Sequence, residues 1–166
     1  LIAMGSSGLH SNGYSLARKV FFEVAGLGID DPVEGVGQTV GQLLLAEHRS
    51  YLGALADPST LNIHALAHIT GGGLTDNLPR VLPPGCSARI DRAGWTVPPL
   101  FRFIAERGAV AEGEMFRTFN MGIGMVAAVS AQDAGALEAH LDGLGEPNMR
   151  IGEVVAGHRY DDTAIA

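Results

Sequence analysis

Leu1-Ile2-Ala3-Met4-Gly5-Ser6-Ser7-Gly8-Leu9-His10-Ser11-Asn12-Gly13-Tyr14-Ser15-Leu16 places three local signals in one short run. Leu1 to Met4 is unbroken apolar sequence of strand length, and Gly5-Ser6-Ser7-Gly8 closes it, which predicts a buried strand running into a loop. Beyond the loop, Tyr14, Ala17, Phe21 and Val24 recur at helical spacing, with Arg18, Lys19 and Glu23 turned to polar surroundings. Ser11 or Asn12 is positioned to cap that helix, and Gly26 and Gly28 to end it. A glycine loop between a strand and a helix start suits an anion: glycines admit close backbone approach, and the N–H groups and dipole of the helix favour negative charge. Ser6, Ser7, His10, Ser11, Asn12 and Gly13 are the candidate contacts, although an ordinary capped loop uses the same residue types.

The same design recurs downstream. Asn62 to Thr70 alternates, with Ile63, Ala65, Ala67 and Ile69 on one face, and predicts a strand. Gly71-Gly72-Gly73 interrupts it, and Leu74 to Leu78 predicts one or two helical turns before Pro79. Thr70, Gly71, Gly72 and Gly73 are candidate phosphate contacts. Arg80 follows closely and offers bidentate bonds to a carboxylate or phosphate, or else a surface ion pair. A third segment, Phe119-Asn120-Met121-Gly122-Ile123-Gly124-Met125, sets Asn120 before a glycine-bearing strand, where it either orients a ligand amide or caps a turn.

Between these segments, a helix is predicted over Gln42 to Leu55, ended by Asp57-Pro58. Further expectations are a strand over Cys86 to Asp91, a helix over Pro98 to Arg107, and a strand over Gly122 to Ser130. Ser130 is expected to cap a helix striped by Ala134, Leu137, Leu141 and Leu144, with a last strand over Arg150 to Ala156. About five strands among helices predict an α+β (mixed α/β) fold, a mixed β-sheet covered by helices. One domain over residues 1–158 and a polar tail over 159–166 are expected.

The 166 residues are 46% apolar, enough for one continuous core. Eleven Lys plus Arg against 18 Asp plus Glu give a net charge of -7 and no basic patch, which argues against a nucleic-acid partner. Met121 to Ala131, the longest apolar stretch, falls short of the ~20 residues a bilayer demands, so no membrane span is expected. Cys86 is the only cysteine. An internal disulfide is therefore impossible, and a reducing, cytoplasmic setting fits. The start at Leu1 lacks a signal-peptide pattern and suggests a fragment. His64 and His68 stand four apart, but alternation puts them on a strand without an acidic neighbour, so no metal site is expected. Ser7 or Ser11 near His10 lacks a nucleophile elbow and an orienting acid, so a hydrolase is not supported, and no catalytic residue is assigned.

Taken together, the block from Ser6 to Leu16, the block from His68 to Pro83 and the block from Phe119 to Met125 resemble, in order and spacing, the C-terminal domain of the AIR synthetase (phosphoribosylformylglycinamidine cyclo-ligase) family. The similarity runs from Leu1 to about Val155. It implies an ATP-dependent, Mg²⁺-requiring homodimer that phosphorylates the formyl oxygen of formylglycinamidine ribonucleotide and closes the imidazole ring of aminoimidazole ribonucleotide. It also implies that this domain holds the ribonucleotide, while an N-terminal domain absent from the sequence holds most of ATP and Mg²⁺. The family's Pro-Thr-Arg-Ile-Tyr-Val stretch corresponds to Glu47-His48-Arg49-Ser50-Tyr51-Leu52. Arg49 and Tyr51 match, but proline and threonine are replaced, which is compatible with altered substrate preference. The alternatives are another ATP-dependent superfamily member, such as a selenophosphate synthetase-like or thiamine-phosphate kinase-like enzyme, and a non-catalytic phosphate-binding or assembly module.

Overall fold

The apolar run that opens the chain forms β1 (Ile2–Gly5), and all four residues are buried. Successive side chains of a strand point to opposite faces. Ile2 and Met4 therefore enter one apolar cluster and Leu1 and Ala3 the other. Unalternating apolar sequence follows from burial on both faces. This computed structural model describes residues 1–56, 61–158 and 164–165.

β1 pairs antiparallel with β4 (Ile123–Val129) on one side and β5 (Asn148–Arg150) on the other, and β4 pairs antiparallel with β2 (Ile63–His68). The sheet order is β2-β4-β1-β5. One face is covered by α1 (Tyr14–Arg18), α3 (Gly73–Val81), α4 (Pro99–Gly108) and α5 (Glu112–Thr118), which bring Phe21 from the turn after α1, Leu74, Leu78, Phe101, Ile104 and Phe116 into the larger cluster. The other face is covered by α6 (Ala134–Gly143) and the turn at residues 51–55. Leu137 and Leu141 are fully buried there, each stabilising by about 1.5–3 kcal/mol. The predicted single core is thus two clusters divided by the sheet. No described helix is long and apolar enough to cross a membrane.

A second sheet, in the order β6-β3-β7, comprises β3 (Cys86–Ile90), β6 (Gly152–Ala156) and β7 (Ala164–Ile165). The strand predicted over Arg150 to Ala156 is therefore two strands in two sheets. Ile151 is the hinge: its N–H donates to the Leu1 carbonyl at 3.0 Å and its carbonyl accepts from the Asp91 N–H at 2.7 Å. Gly152 (φ 153°) permits the crossing, because a Cβ there would overlap the Arg89 carbonyl. β7 pairs parallel with Arg89 and Ile90, so residues 164–165 of the expected tail belong to the sheet.

Several local expectations are corrected. The first helix begins at Tyr14 with Gly13 in the left-handed region (φ 75°) and no side-chain cap, then widens into a π-helical stretch, Lys19–Val24. Val24 leaves the buried stripe and is exposed. The helix predicted over Gln42 to Leu55 shrinks to α2 (Val40–Leu44), started by a reciprocal capping box between Thr39 and Gln42. Leu45 (80% exposed) and Leu52 (82%) have no core to face, so propensity alone does not extend it. The expected stop at Asp57-Pro58 lies outside the described residues. Ile63 does not share a face with Ala65 and Ala67, because a register shift between Ile63 and Ala65 inverts the alternation. α3 runs through Pro79 to Val81. Ser130 bonds the Asp133 carboxylate at 2.5 Å rather than capping α6. α5, β7 and the separate identity of β5 are additions that the sequence pattern did not give.

Candidate functional site

Two glycine loops meet at the C-terminal end of α5. The last carbonyls of a helix have no partner within it. Here the Arg117 carbonyl accepts from the Gly72 N–H at 2.9 Å, and the Thr118 carbonyl accepts from Asn12 Nδ2 at 2.7 Å. The second of these bonds explains why Asn12 does not cap α1. Gly73 (φ 60°) packs so closely on α5 that a Cβ would overlap the Phe116 carbonyl, and a Cβ on Gly13 would overlap the Phe119 ring. Segments some sixty residues apart in sequence are thus held side by side by one helix end.

Asn120, which follows directly, is fully buried. Its Oδ1 accepts from Ser6 Oγ at 3.0 Å and from the Gly122 N–H at 2.8 Å, and its Nδ2 donates to the Gly8 carbonyl at 2.8 Å. Both ends of the amide are used within the protein, so Asn120 shapes the loop that runs from Ser6 to Gly8 instead of facing open space. Asn77 plays the matching part in the second loop, donating from Nδ2 to the Gly73 carbonyl at 2.8 Å and accepting on Oδ1 from Arg80 Nη1 at 3.0 Å and Thr70 Oγ1 at 3.3 Å. Arg80 itself is exposed, and a guanidinium has four further N–H donors. Ser7, Ser11 and Gly71 are exposed, while Ser6, Asn12, Gly13, Thr70 and Gly72 are half-buried. The Gly72 and Gly73 N–H groups both bond carbonyls, the latter that of Thr70 at 2.9 Å, so this loop does not present the row of open amides its glycines suggest.

His10 is the least expected element. It is buried yet in the left-handed region (φ 58°), a conformation uncommon outside glycine. Its Nε2 accepts from the Ser7 N–H at 3.2 Å, and its Nδ1 is buried without a partner. Two histidines from other segments lie beside it. The ring of His48 stacks on His10 with centroids 4.0 Å apart, and His48 Nε2 lies 3.2 Å from Nε2 of His68, the last residue of β2. Burial, and then the positive charge of His48, His68 and Arg49, pushes the His10 pKa down to about 4. The pKa of His68 is also lowered, by burial and then by His48. His64 lies four residues earlier on the same strand, roughly 13 Å away along it, and joins no such group among the described residues.

The segment carrying His48 is pinned at three points. Ser7 Oγ donates to the Glu47 carbonyl at 2.5 Å, and Arg49 pairs with Glu146 through Nε at 2.8 Å and Nη2 at 2.6 Å. The Tyr51 hydroxyl donates to the Gly5 carbonyl at 2.8 Å, and burial raises its pKa. Gly124 leaves room for this arrangement, since a Cβ there would overlap the Tyr51 hydroxyl and crowd the His10 ring. Sequence reasoning selected His10 but missed His48 and its supports, because residues 20 or more positions apart share no local pattern. The one legible signal was the departure at Glu47-His48.

The family described as AIR synthase related protein, C-terminal domain, matches residues 1–164. Phosphoribosylformylglycinamidine cyclo-ligase of Citrifermentans bemidjiense is 52% identical over 155 residues, covering 93% of this chain and 44% of that protein. The protein of the same name from Caldanaerobacter subterraneus subsp. tengcongensis is 46% identical over 157 residues, covering 95% and 47%. The chain thus spans less than half the length of these relatives. Among solved structures, a Thermus thermophilus protein, tt0281, shares the fold with TM-score 0.57 at 17% identity, covering 100% of this chain and 50% of that one. Thiamine-monophosphate kinase from Stenotrophomonas maltophilia gives 0.55 at 15% identity, covering 98% and 51%. E. coli HypE, a hydrogenase maturation protein, gives 0.54 at 22%, covering 95% and 44%. The resemblance in the three sequence blocks, the match over residues 1–164 and the shared fold agree, and the chain belongs to the AIR synthase related family as its C-terminal domain.

Proposed function

We propose that this chain is the ribonucleotide-holding part of an ATP-dependent cyclo-ligase that converts formylglycinamidine ribonucleotide to aminoimidazole ribonucleotide. The observation that carries the reading is the common anchorage of the Ser6-to-Leu16 and Thr70-to-Arg80 blocks on the end of α5, which turns two separate sequence motifs into one surface. On that surface Ser7, Ser11, Gly71 and Arg80 face the phosphate and polar groups of the nucleotide, while Asn12 ties its loop to α5. Ser6, Gly13, Gly72, Gly73, Thr70 and Asn120 hold the loops in place, and His10 lines the wall.

ATP, as co-substrate, converts the formyl oxygen into a leaving group by phosphorylation, after which a substrate nitrogen attacks the activated carbon and phosphate departs. The contribution of this domain is positional: a nucleophile held against its carbon gains most of its advantage from orientation already secured on binding. Mg²⁺ prefers oxygen ligands. Among the described residues the one cluster of three potential ligands is imidazole only, which supports assigning ATP and Mg²⁺ to another part of the complete protein. HypE, which shares the fold, has been solved in complex with ATP, which supports ATP as a ligand of the complete protein. A homodimer in the cytoplasm completes the reading.

The complete protein, given formylglycinamidine ribonucleotide and MgATP, is expected to form aminoimidazole ribonucleotide and ADP in equal amounts. Arg80→Ala is expected to lower kcat/KM by about 1.5–3 kcal/mol of lost charge-assisted binding. A folded protein that binds ATP but forms neither product belongs to a sister activity, and one that binds the ribonucleotide without turnover is a binding module.

A further inference from the structure

We propose that His10, His48 and His68 form a binding site for one borderline divalent transition-metal ion of the Zn²⁺ and Co²⁺ class. Each residue offers one ring nitrogen, and these three atoms lie within 4.8 Å of one another. At Zn–N distances of about 2.0–2.1 Å, a tetrahedral ion holds its nitrogen ligands about 3.3 Å apart. The His48 and His68 nitrogens already stand at 3.2 Å, so the pair needs little change to share an ion. His10 is fixed by burial, while His48 and His68 are exposed and can rotate their rings to converge on it. The ring of His48, now stacked on His10, has to part from it as the lone pairs turn toward one centre.

The donor set selects the ion. Three imidazoles without a carboxylate suit Zn²⁺, Co²⁺, Ni²⁺ or Cu²⁺ and not Mg²⁺ or Ca²⁺. Three protein ligands also leave a coordination position for water or an anion, the arrangement of reactive rather than closed structural sites. That position borders the loop carrying Ser7, whose N–H and hydroxyl already contact His10 and the His48 segment. The site stands independently of the cyclo-ligase reading, since metal binding is measured without turnover.

The test uses the untagged complete protein, stripped of metal by chelation and held in excess Mg²⁺ to fill oxygen-ligand sites, then titrated with Co²⁺. The expected result is one Co²⁺ per chain with visible d–d absorption, displaced by one equivalent of Zn²⁺. In His48→Thr and His68→Gln, both at exposed positions, the bands are lost and the ion is held roughly tenfold or more weakly. Thermal melting confirms that both variants remain folded. Absence of Co²⁺ absorption in the parent protein, or equal uptake by parent and both variants, overturns the site and leaves a hydrogen bond between imidazoles as the reason for the contact.

Discussion

Tyr51 shows how a single side chain holds the site together. Its hydroxyl bonds the Gly5 carbonyl at the point where β1 becomes the loop, and its ring lies edge-on to His10. Tyr51→Phe removes that bond and is expected to cost about 1 kcal/mol, read from urea unfolding at neutral pH. The raised pKa gives the effect a pH signature. An unfolded tyrosine ionises near 10 and Tyr51 in the fold only above that, so its stability is fully present below the unfolded pKa and is lost as pH rises beyond it. The phenylalanine variant is expected to lose less stability between neutral pH and pH values above 10 than the parent does, and an equal loss in both refutes the assignment. Of the residues around this hydroxyl, Gly5, Ser6 and His10 were legible as a glycine loop against a helix start. The partnership of Tyr51 and Gly124 was not, because a side chain reaching across 46 residues to a carbonyl leaves no periodic trace.

At the scale of elements, α5 is the decisive part and the one the sequence pattern passed over. Glu112-Gly-Glu-Met-Phe-Arg-Thr carries only Met115 and Phe116 as buried residues, too few to make a helical stripe. Its importance lies in the carbonyls of its last turn, which receive both loops. Gly73 and Gly71 separate packing from flexibility in the second loop. Gly73→Ala forces a Cβ into the Phe116 carbonyl at φ 60°, and a loss of about 3 kcal/mol or more is expected in chemical denaturation. Gly71→Ala meets nothing within 4 Å and is expected to stay within about 0.5 kcal/mol. Similar losses at both positions would mean that the glycines serve backbone freedom in general and not contact with α5. β2 and α6 were legible from recurring apolar positions, α4 from the proline that opens it, and β4 as a strand-length run rich in small residues. The shortening of α2 was not, since it reflects a missing surface for Leu45 and Leu52 to pack on.

Across the whole molecule, the two sheets differ in how well they are covered. β4 lies between β2 and β1 with Val126 and Ala127 buried, whereas β6 pairs, among the described residues, with β3 alone and carries Glu153 and Val154 on the surface. Amide hydrogen exchange is expected to be slowest at Val126 and Ala127 and faster by orders of magnitude along Gly152–Ala156, because local opening there exposes little apolar area. Equal protection would show that the sheets open as one unit. The sequence by itself determined the mixed α+β class, the strand at the start, the two glycine loops and the family, because these rest on local periodicity and on long runs of particular residues. Only the tertiary structure decided that the core is split by a sheet, that the last strand divides at Ile151, that both loops are tied to the end of α5 and that three histidines converge. Each of these depends on which distant segments share a hydrogen bond or a buried face, and chain folding, not spacing along the sequence, brings those partners together.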